Sequence, residues 1–176
     1  MRTHPRTAPA RTDALLDGEP LAWLDVCAAV RAAGPFWLST SDRGGAPHSR
    51  PVLAVWFDGL PHLAASPSSR KAAHLAGDPR CALAVSVAGL DVVVEGRAAV
   101  VHDPGVLDRV AEAYAQDYGW VVEVRDGALW AEGAPTAGPP PYAVHRISPA
   151  VAHAFGTDET TAARSTRWTW PARELR

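Results

Sequence analysis

Apolar residues recur along the chain with two different periods. From Glu19 to Ala33 they fall at Leu21, Leu24, Val26, Ala28, Ala29 and Val30, the spacing of one helical face. Gly34-Pro35 stops this first helix, which lies near 20–33. Beyond it the period shortens to that of strands. Phe36-Trp-Leu-Ser-Thr40 predicts a strand, and Ser41-Asp-Arg-Gly-Gly45 a hairpin turn, since glycine accepts positive φ. Pro47 to Phe57 predicts the returning strand, Asp58-Gly59 a tight turn, and Pro61 to Ala65 a short strand. Ser66 to Gly77 is helical again, near 68–77, with Ser68 as its N-cap and Gly77-Asp78-Pro79 as its stop. Two strand-like runs follow, 81–88 and 91–102, turning at Gly89. Gly96 inside the second run predicts a bulge or a close backbone approach. Asp103-Pro104 opens a third helix near 104–118, with Val106, Val110 and Tyr114 on one stripe. Residues 121–141 keep neither period, and Pro139 to Pro141 closes a loop or lid. Tyr142 to Ile147, Val151 to Phe155 and Thr166 to Trp170 predict the last strands.

At least six strands in hairpins, without a helical crossover between each pair, exclude a doubly wound parallel sheet. A mainly β fold with flanking helices, its edges hidden by barrel closure, fits the count. With 176 residues, 47% of them hydrophobic and 20% charged, one domain spanning 19–176 has the material for a core without disulfides or metal. The net charge of -2 argues against a nucleic acid or an anionic membrane as the main partner. Cys27 and Cys81 stand alone, and no apolar run reaches the roughly 20 residues of a membrane span. Residues 1–18 carry Arg2, Arg6 and Arg11 among prolines and lack the apolar stretch of a secretory signal, so they read as a flexible leader. The expectation is a reducing, cytoplasmic setting.

Three segments carry candidate chemistry. In Ala65-Ser-Pro-Ser-Ser-Arg-Lys71, three serines precede a helix start that holds Arg70 and Lys71. Free backbone N–H groups, hydroxyls and the positive end of the helix dipole form an anion site there; the two cations oppose the dipole until an anion joins them. The bland reading is an exposed basic helix start. In Pro47-His-Ser-Arg-Pro-Val52, alternation puts His48, Arg50 and Val52 on one face and Ser49 on the other. A cation facing inward needs a partner, whereas one on the outer face merely decorates it. Near the C-terminus, Ser165-Thr-Arg-Trp168 sets a planar cation beside a large planar ring, suited to edging a ring system or simply to packing Trp168 into a core. The seven tryptophans include Trp56 and Trp120, which line either a pocket or a core. There is no Gly-x-x-x-x-Gly-Lys loop, no Gly-x-Gly-x-x-Gly fingerprint and no Gly-x-Ser-x-Gly elbow, and His145 and His153 lack zinc-ligand spacing with a third ligand. A metal site or a side-chain nucleophile is therefore not expected.

Taken in order, these segments resemble the pyridoxamine 5'-phosphate oxidase-like superfamily of flavin-binding split barrels, and within it the flavin/deazaflavin oxidoreductase branch. The resemblance runs through Phe36-Trp-Leu-Ser-Thr40, Gly44-Gly-Ala-Pro-His-Ser-Arg-Pro-Val52, Ser69-Arg-Lys-Ala-Ala-His-Leu75, Asp78-Pro-Arg80, Val94-Glu-Gly-Arg-Ala-Ala-Val100, Tyr114-Ala-Gln-Asp-Tyr-Gly-Trp120 and Thr166-Arg-Trp168. It implies a six- to seven-stranded antiparallel split β-barrel, homodimeric, with cofactor sites at the interface. It further implies that Arg70 and Lys71, helped by Ser66, Ser69 and Arg50, hold a cofactor phosphate. His48, Ser49, Arg50, Pro51, Val52 and Leu53 would run along the redox ring, and Arg167 with Trp168 would close the site. Many relatives place an aromatic residue directly after Pro-Val; here Leu53 stands there. The cofactor expected is coenzyme F420 ahead of FMN, serving hydride transfer to a planar unsaturated small molecule, with a proton from solvent, His48 or Tyr118. The alternative is the same barrel holding a flavin, haem or pigment without turnover.

Overall fold

In the computed structural model, residues 8–31, 33–132 and 138–171 are described. In chain order the elements are β1 (Arg11–Ala14), α1 (Trp23–Val30), β2 (Phe36–Ser41), β3 (Pro47–Val52), β4 (Ala54–Phe57), β5 (Leu60–Ala65) and α2 (Arg70–Gly77). After these come β6 (Arg80–Val87), β7 (Leu90–Val100), α3 (Pro104–Tyr118), β8 (Glu123–Arg125), β9 (Ala128–Trp130), β10 (Ala143–Gly156) and β11 (Thr166–Thr169). Two turns follow from their residues. Asp58 and Gly59, at φ 53 and 75, take the paired left-handed conformation that suits a two-residue hairpin between β4 and β5. Asp103 caps α3 by accepting from the Val106 amide, and Gly119, at φ 66, ends it.

Every pairing among the strands is antiparallel. β10 pairs with β7, β7 with β6, β6 with β2, and β2 with β3. The chain then runs from β3 through Leu53 into β4, which pairs with β5, and β5 returns to the first half of β10. Seven strands thus form a closed ring, joined by hydrogen bonds everywhere except at Leu53, where the covalent chain itself makes the corner. This is the mainly β split barrel expected. β11 adds beside the second half of β10, and β1 beside β11.

Several boundaries differ from the sequence reading. Residues 11–14, assigned to a flexible leader, form β1 against β11, whose Thr169, Trp168, Arg167 and Thr166 oppose them in register. The cap of α2 is Ser69, one residue later than Ser68: its hydroxyl accepts from the Ala72 amide at 3.4 Å. The two strands expected at 142–147 and 151–155 are one, because a bulge between Pro149 and Val151 absorbs the proline without ending the strand. Gly96 lies opposite Pro149, where a Cβ would run into the Ser148 carbonyl, so the close approach expected there is real. Residues 121–141, which kept no period, contribute the β8–β9 hairpin.

The barrel core gathers Phe36, Leu38, Leu63, Leu83, Val92, Val94 and Ile147. An aromatic group closes one end, with Trp23 of α1 lying 5.3 Å from Trp168 and 5.1 Å from Trp170 between ring centroids. A second core lies outside the ring, where Val106, Leu107, Val110 and Tyr114 of α3 pack with Val55, Leu129, Tyr142 and Val144.

Candidate functional site

α2 and the β2–β3 hairpin come together at one side of the barrel. Thr40 and His48 face each other across the β2–β3 pair, so they share a face. His74 of α2 meets both: its Nδ1 lies 3.0 Å from the buried Thr40 hydroxyl, and its ring centroid is 4.8 Å from that of His48. His48 Nε2 lies 3.5 Å from an Asp42 carboxylate oxygen. Backbone amides of Ala46 and Gly44 donate to that carboxylate and, with His48, hold its pKa below the usual value.

The start of α2 collects the anion-site residues. Ser66 is buried, with its hydroxyl 3.0 Å from that of Ser68, and Ser69 caps the helix. Arg70 is exposed and Lys71 half-buried, and burial pulls the Lys71 ammonium below its ordinary pKa. Among the described residues, no carboxylate lies within ion-pair distance of Arg50, Arg70 or Lys71. A half-buried ammonium without a counter-ion sits at higher energy than one with an anion beside it, so this start suits a phosphoryl group.

Along β3, Arg50 lies in register with buried Leu38 and Val52 with buried Phe36, so the two share a face, as alternation predicts. The Arg50 guanidinium nevertheless reaches solvent and donates to the Ser49 carbonyl at 2.8 Å. The Ser49 hydroxyl is 2.6 Å from that of Ser39 on the outer face. Pro51 opposes Trp37, an exposed ring that the sequence reading did not single out. Trp37 lines an outer-face groove of about 400 Å³ with Pro35, Ala84 and Val93.

Two tyrosines of α3 fix the Leu53 corner: Tyr118, expected from the sequence as a proton source, and Tyr114, expected only as part of the apolar stripe. The β4–β5 ladder ends at Ala54 opposite Leu63, and the Tyr114 hydroxyl takes the next rung. It accepts from the Ala64 amide at 2.8 Å and donates to the Leu53 carbonyl at 3.1 Å. The Tyr118 hydroxyl shares its proton between the carbonyls of Ala33 at 2.7 Å and Ala54 at 2.8 Å. Burial, then the Asp117 charge, push Tyr118 up to about 12. Tyr118 is therefore a clamp on the corner, with its proton already engaged, which counts against its candidacy as a proton donor. Replacing Tyr114 by Phe strands a part-buried amide and a carbonyl at once; the expected loss is about 2–6 kcal/mol of stability by urea denaturation, at about 1–3 per orphaned group.

The C-terminal pair splits. Arg167 is exposed on β11, in register with Asp13 and His153. Trp168 has 0% exposure and packs tilted against Trp23, at 58° between planes, so it belongs to the core instead of edging a ligand of this chain. The pairing with β10 sets this: alternate residues of β11 point outward and inward, and Trp168 takes the inward place beside Ala152.

Among the described residues no helix is long and apolar enough to cross a membrane, and no three His, Cys, Asp or Glu side chains converge as metal ligands would.

Comparison with known sequences and structures agrees with this architecture. The sequence profile described as pyridoxamine 5'-phosphate oxidase matches residues 25–156. No curated protein matches the chain. Among solved structures, a heme binding protein from Mycobacterium smegmatis superposes with a TM-score of 0.64 at 16% identity, covering 86% of this chain; the chain spans 60% of that protein's length. A FAD-binding protein from Mesorhizobium loti gives a TM-score of 0.55 at 17% identity, covering 89% of this chain and 94% of that one. PhzG from Burkholderia lata 383, solved with tetrahydrophenazine-1-carboxylic acid, gives 0.56 at 18% identity, covering 86% and 85%. At these identities the likeness is one of fold.

Proposed function

Because the chain belongs to the pyridoxamine 5'-phosphate oxidase family, we propose that it is a flavin- or deazaflavin-dependent oxidoreductase, with F420 ahead of FMN as the cofactor. The observation that carries this reading is the half-buried, unpaired Lys71 ammonium beside Arg70 and buried Ser66 at the start of α2. Arg70, Lys71, Ser66 and Ser69 would hold the cofactor phosphoryl group, and Arg50, whose guanidinium reaches solvent from β3, would have to turn from the Ser49 carbonyl to join them. When bound, such a cofactor supplies hydride transfer to or from an electron-poor double bond. The chain would supply position: backbone from Ser49 to Leu53 would run along the ring, and Tyr114 and Tyr118 keep the Leu53 corner from shifting. His48, with Nε2 toward Asp42, is the side chain that holds a proton near the ring. The preference for F420 rests on the order of motifs shared with the deazaflavin branch. A planar unsaturated substrate suits the groove beside Trp37.

The same reading makes the protein a homodimer with its sites between two barrels. Arg167 has its neighbours on β1 and β10, away from β3 and α2, so it joins a site as a contribution from a second copy. A cytoplasmic setting goes with it.

Titrating the purified protein with FMN and with F420, following fluorescence quenching, tests the proposal. Saturable quenching by one of them is the expected result; quenching by neither sinks it. A second reading, a barrel that holds a flavin, haem or pigment without turnover, is favoured by the likeness to a heme binding protein. It replaces the first if bound reduced cofactor is never oxidised by quinones, enones or tetrapyrroles.

A further inference from the structure

Ser66, one of the serines before α2, is covered. Only 3% of its surface is exposed, so its hydroxyl is closed to an anion arriving from solvent. Gly138 stands against it from the segment that leads into β10. A Cβ built on Gly138 would lie 3.6 Å from the Ser66 Cβ and 3.8 Å from its hydroxyl oxygen, and the glycine holds φ at +80, where a side chain is strained. Gly138, Pro139 and Pro141 are themselves exposed. Residues 138–141 thus form a strap with Ser66 on its inner side and solvent on its outer side.

The residues of this strap limit how it can be held. Pro139, Pro140 and Pro141 have no amide hydrogen, so three successive residues cannot donate to a neighbouring strand. Among the described residues, the hydrogen bond that secures the strap comes from Tyr142, whose hydroxyl donates to the Gly138 carbonyl at 2.8 Å. Tyr142 is a fixed post with 0% exposure. Its backbone exchanges hydrogen bonds of 2.8 and 2.9 Å with Leu129, and its ring meets Trp120 edge-on at 5.4 Å. A rigid post joined to an exposed strap through one hydroxyl makes a latch.

We propose that residues 138–141 close the empty phosphoryl site over Ser66, and that Tyr142 is the positioning residue that latches them there. The inference rests on the reading of the α2 start as that site and adds a gate to it. An anion that uses Ser66 binds only those molecules whose strap is displaced, so the observed affinity scales with that fraction. Loosening the latch therefore raises affinity. A tyrosine with a merely structural role gives a lower or unchanged affinity when its hydroxyl is removed.

Tyr142→Phe keeps the buried ring and leaves the carbonyl of exposed Gly138 to water. Losing one neutral hydrogen bond shifts such an equilibrium by about 2- to 10-fold, and cofactor affinity is expected to rise by that factor. Stopped-flow quenching should place the gain in the association rate, with the dissociation rate within about twofold of the parent. FMN is the probe, and F420 takes its place if FMN does not quench. A second arm locks the strap instead. Ser66→Cys with Gly138→Cys sets two Cβ atoms 3.6 Å apart, inside the about 3.5–4.5 Å that a disulfide spans. Cys27 and Cys81 do not compete, because burial pushes both thiols up to about 12. Oxidised with diamide, the cysteine pair is expected to bind the probe at least about 10-fold more weakly than the same protein reduced with a phosphine. Both forms lack the Ser66 hydroxyl, so its loss cancels in the comparison. Equal binding by the two forms, a pair that fails to cross-link, or an affinity that Tyr142→Phe lowers or leaves in place overturns the strap. If FMN binding still depends on Arg70 and Lys71, the phosphoryl site survives that result. If neither FMN nor F420 binds the parent protein, both fall.

Discussion

Arg70→Ala with Lys71→Ala lowers cofactor affinity by about 100-fold or more, while the thermal midpoint stays within a few degrees of the parent protein. Each charge-assisted contact to a phosphoryl oxygen is worth about 1.5–3 kcal/mol, so two contacts give roughly 3–6 kcal/mol. The low end applies because Arg70 is solvent-exposed and its contact is screened. Stability changes little because neither cation has an ion-pair partner to lose, and removing positive charge from a helix start relieves a conflict with the dipole. Calorimetric titration with FMN and with riboflavin separates the parts. The double variant should bind both equally weakly if the phosphoryl group is what the cations grip. An unchanged FMN affinity refutes the site.

The second large effect falls on stability and leaves binding intact. Trp168→Ala opens a cavity in the middle of the Trp23, Trp56 and Trp170 group and costs about 3–5 kcal/mol, enough to unfold a marginally stable domain. Trp168→Phe costs much less: it keeps an aromatic ring and deletes an indole N–H that is buried without a hydrogen-bond partner. Urea denaturation reads the first result. In the Phe variant, FMN and F420 affinity should match the parent within about twofold, since a side chain without exposed surface makes no direct ligand contact in its own chain. A tenfold loss in Trp168→Phe would return this tryptophan to the ligand.

These two sites differ in how readable they are from the sequence. The α2 start is local: three serines, two cations and a helix period sit within six residues, and local chemistry is enough to mark them. Turn and cap residues such as Asp58-Gly59 and Asp103-Pro104 are readable for the same reason, since each acts on its immediate neighbours. The fate of Trp168 is not local. Arg167 and Trp168 differ by one step of a period of two, and the register against β10 decides which points inward. The same holds for β1, whose partner among the described residues lies about 150 residues away at β11, so residues 11–14 carry no signal of their own beyond polarity. Tyr114 reads correctly as part of the apolar stripe of α3, but its hydroxyl completes a ladder between strands far off in the chain. His145 lacks zinc-ligand spacing in the sequence, and its buried place opposite Leu63 emerges only when β5 and β10 pair.

Where the ring is joined by chain instead of by hydrogen bonds, β3 keeps one flank with no strand paired to it among the described residues. Main-chain groups along that flank have no strand partner, although the Ser49 carbonyl accepts from Arg50 and the Leu53 carbonyl from Tyr114. A flat heterocycle with amide-like edges can satisfy them without consulting any side chain. Replacements at Ser49 or Leu53 that preserve the backbone would then alter what lies around such a guest far more than whether it is held.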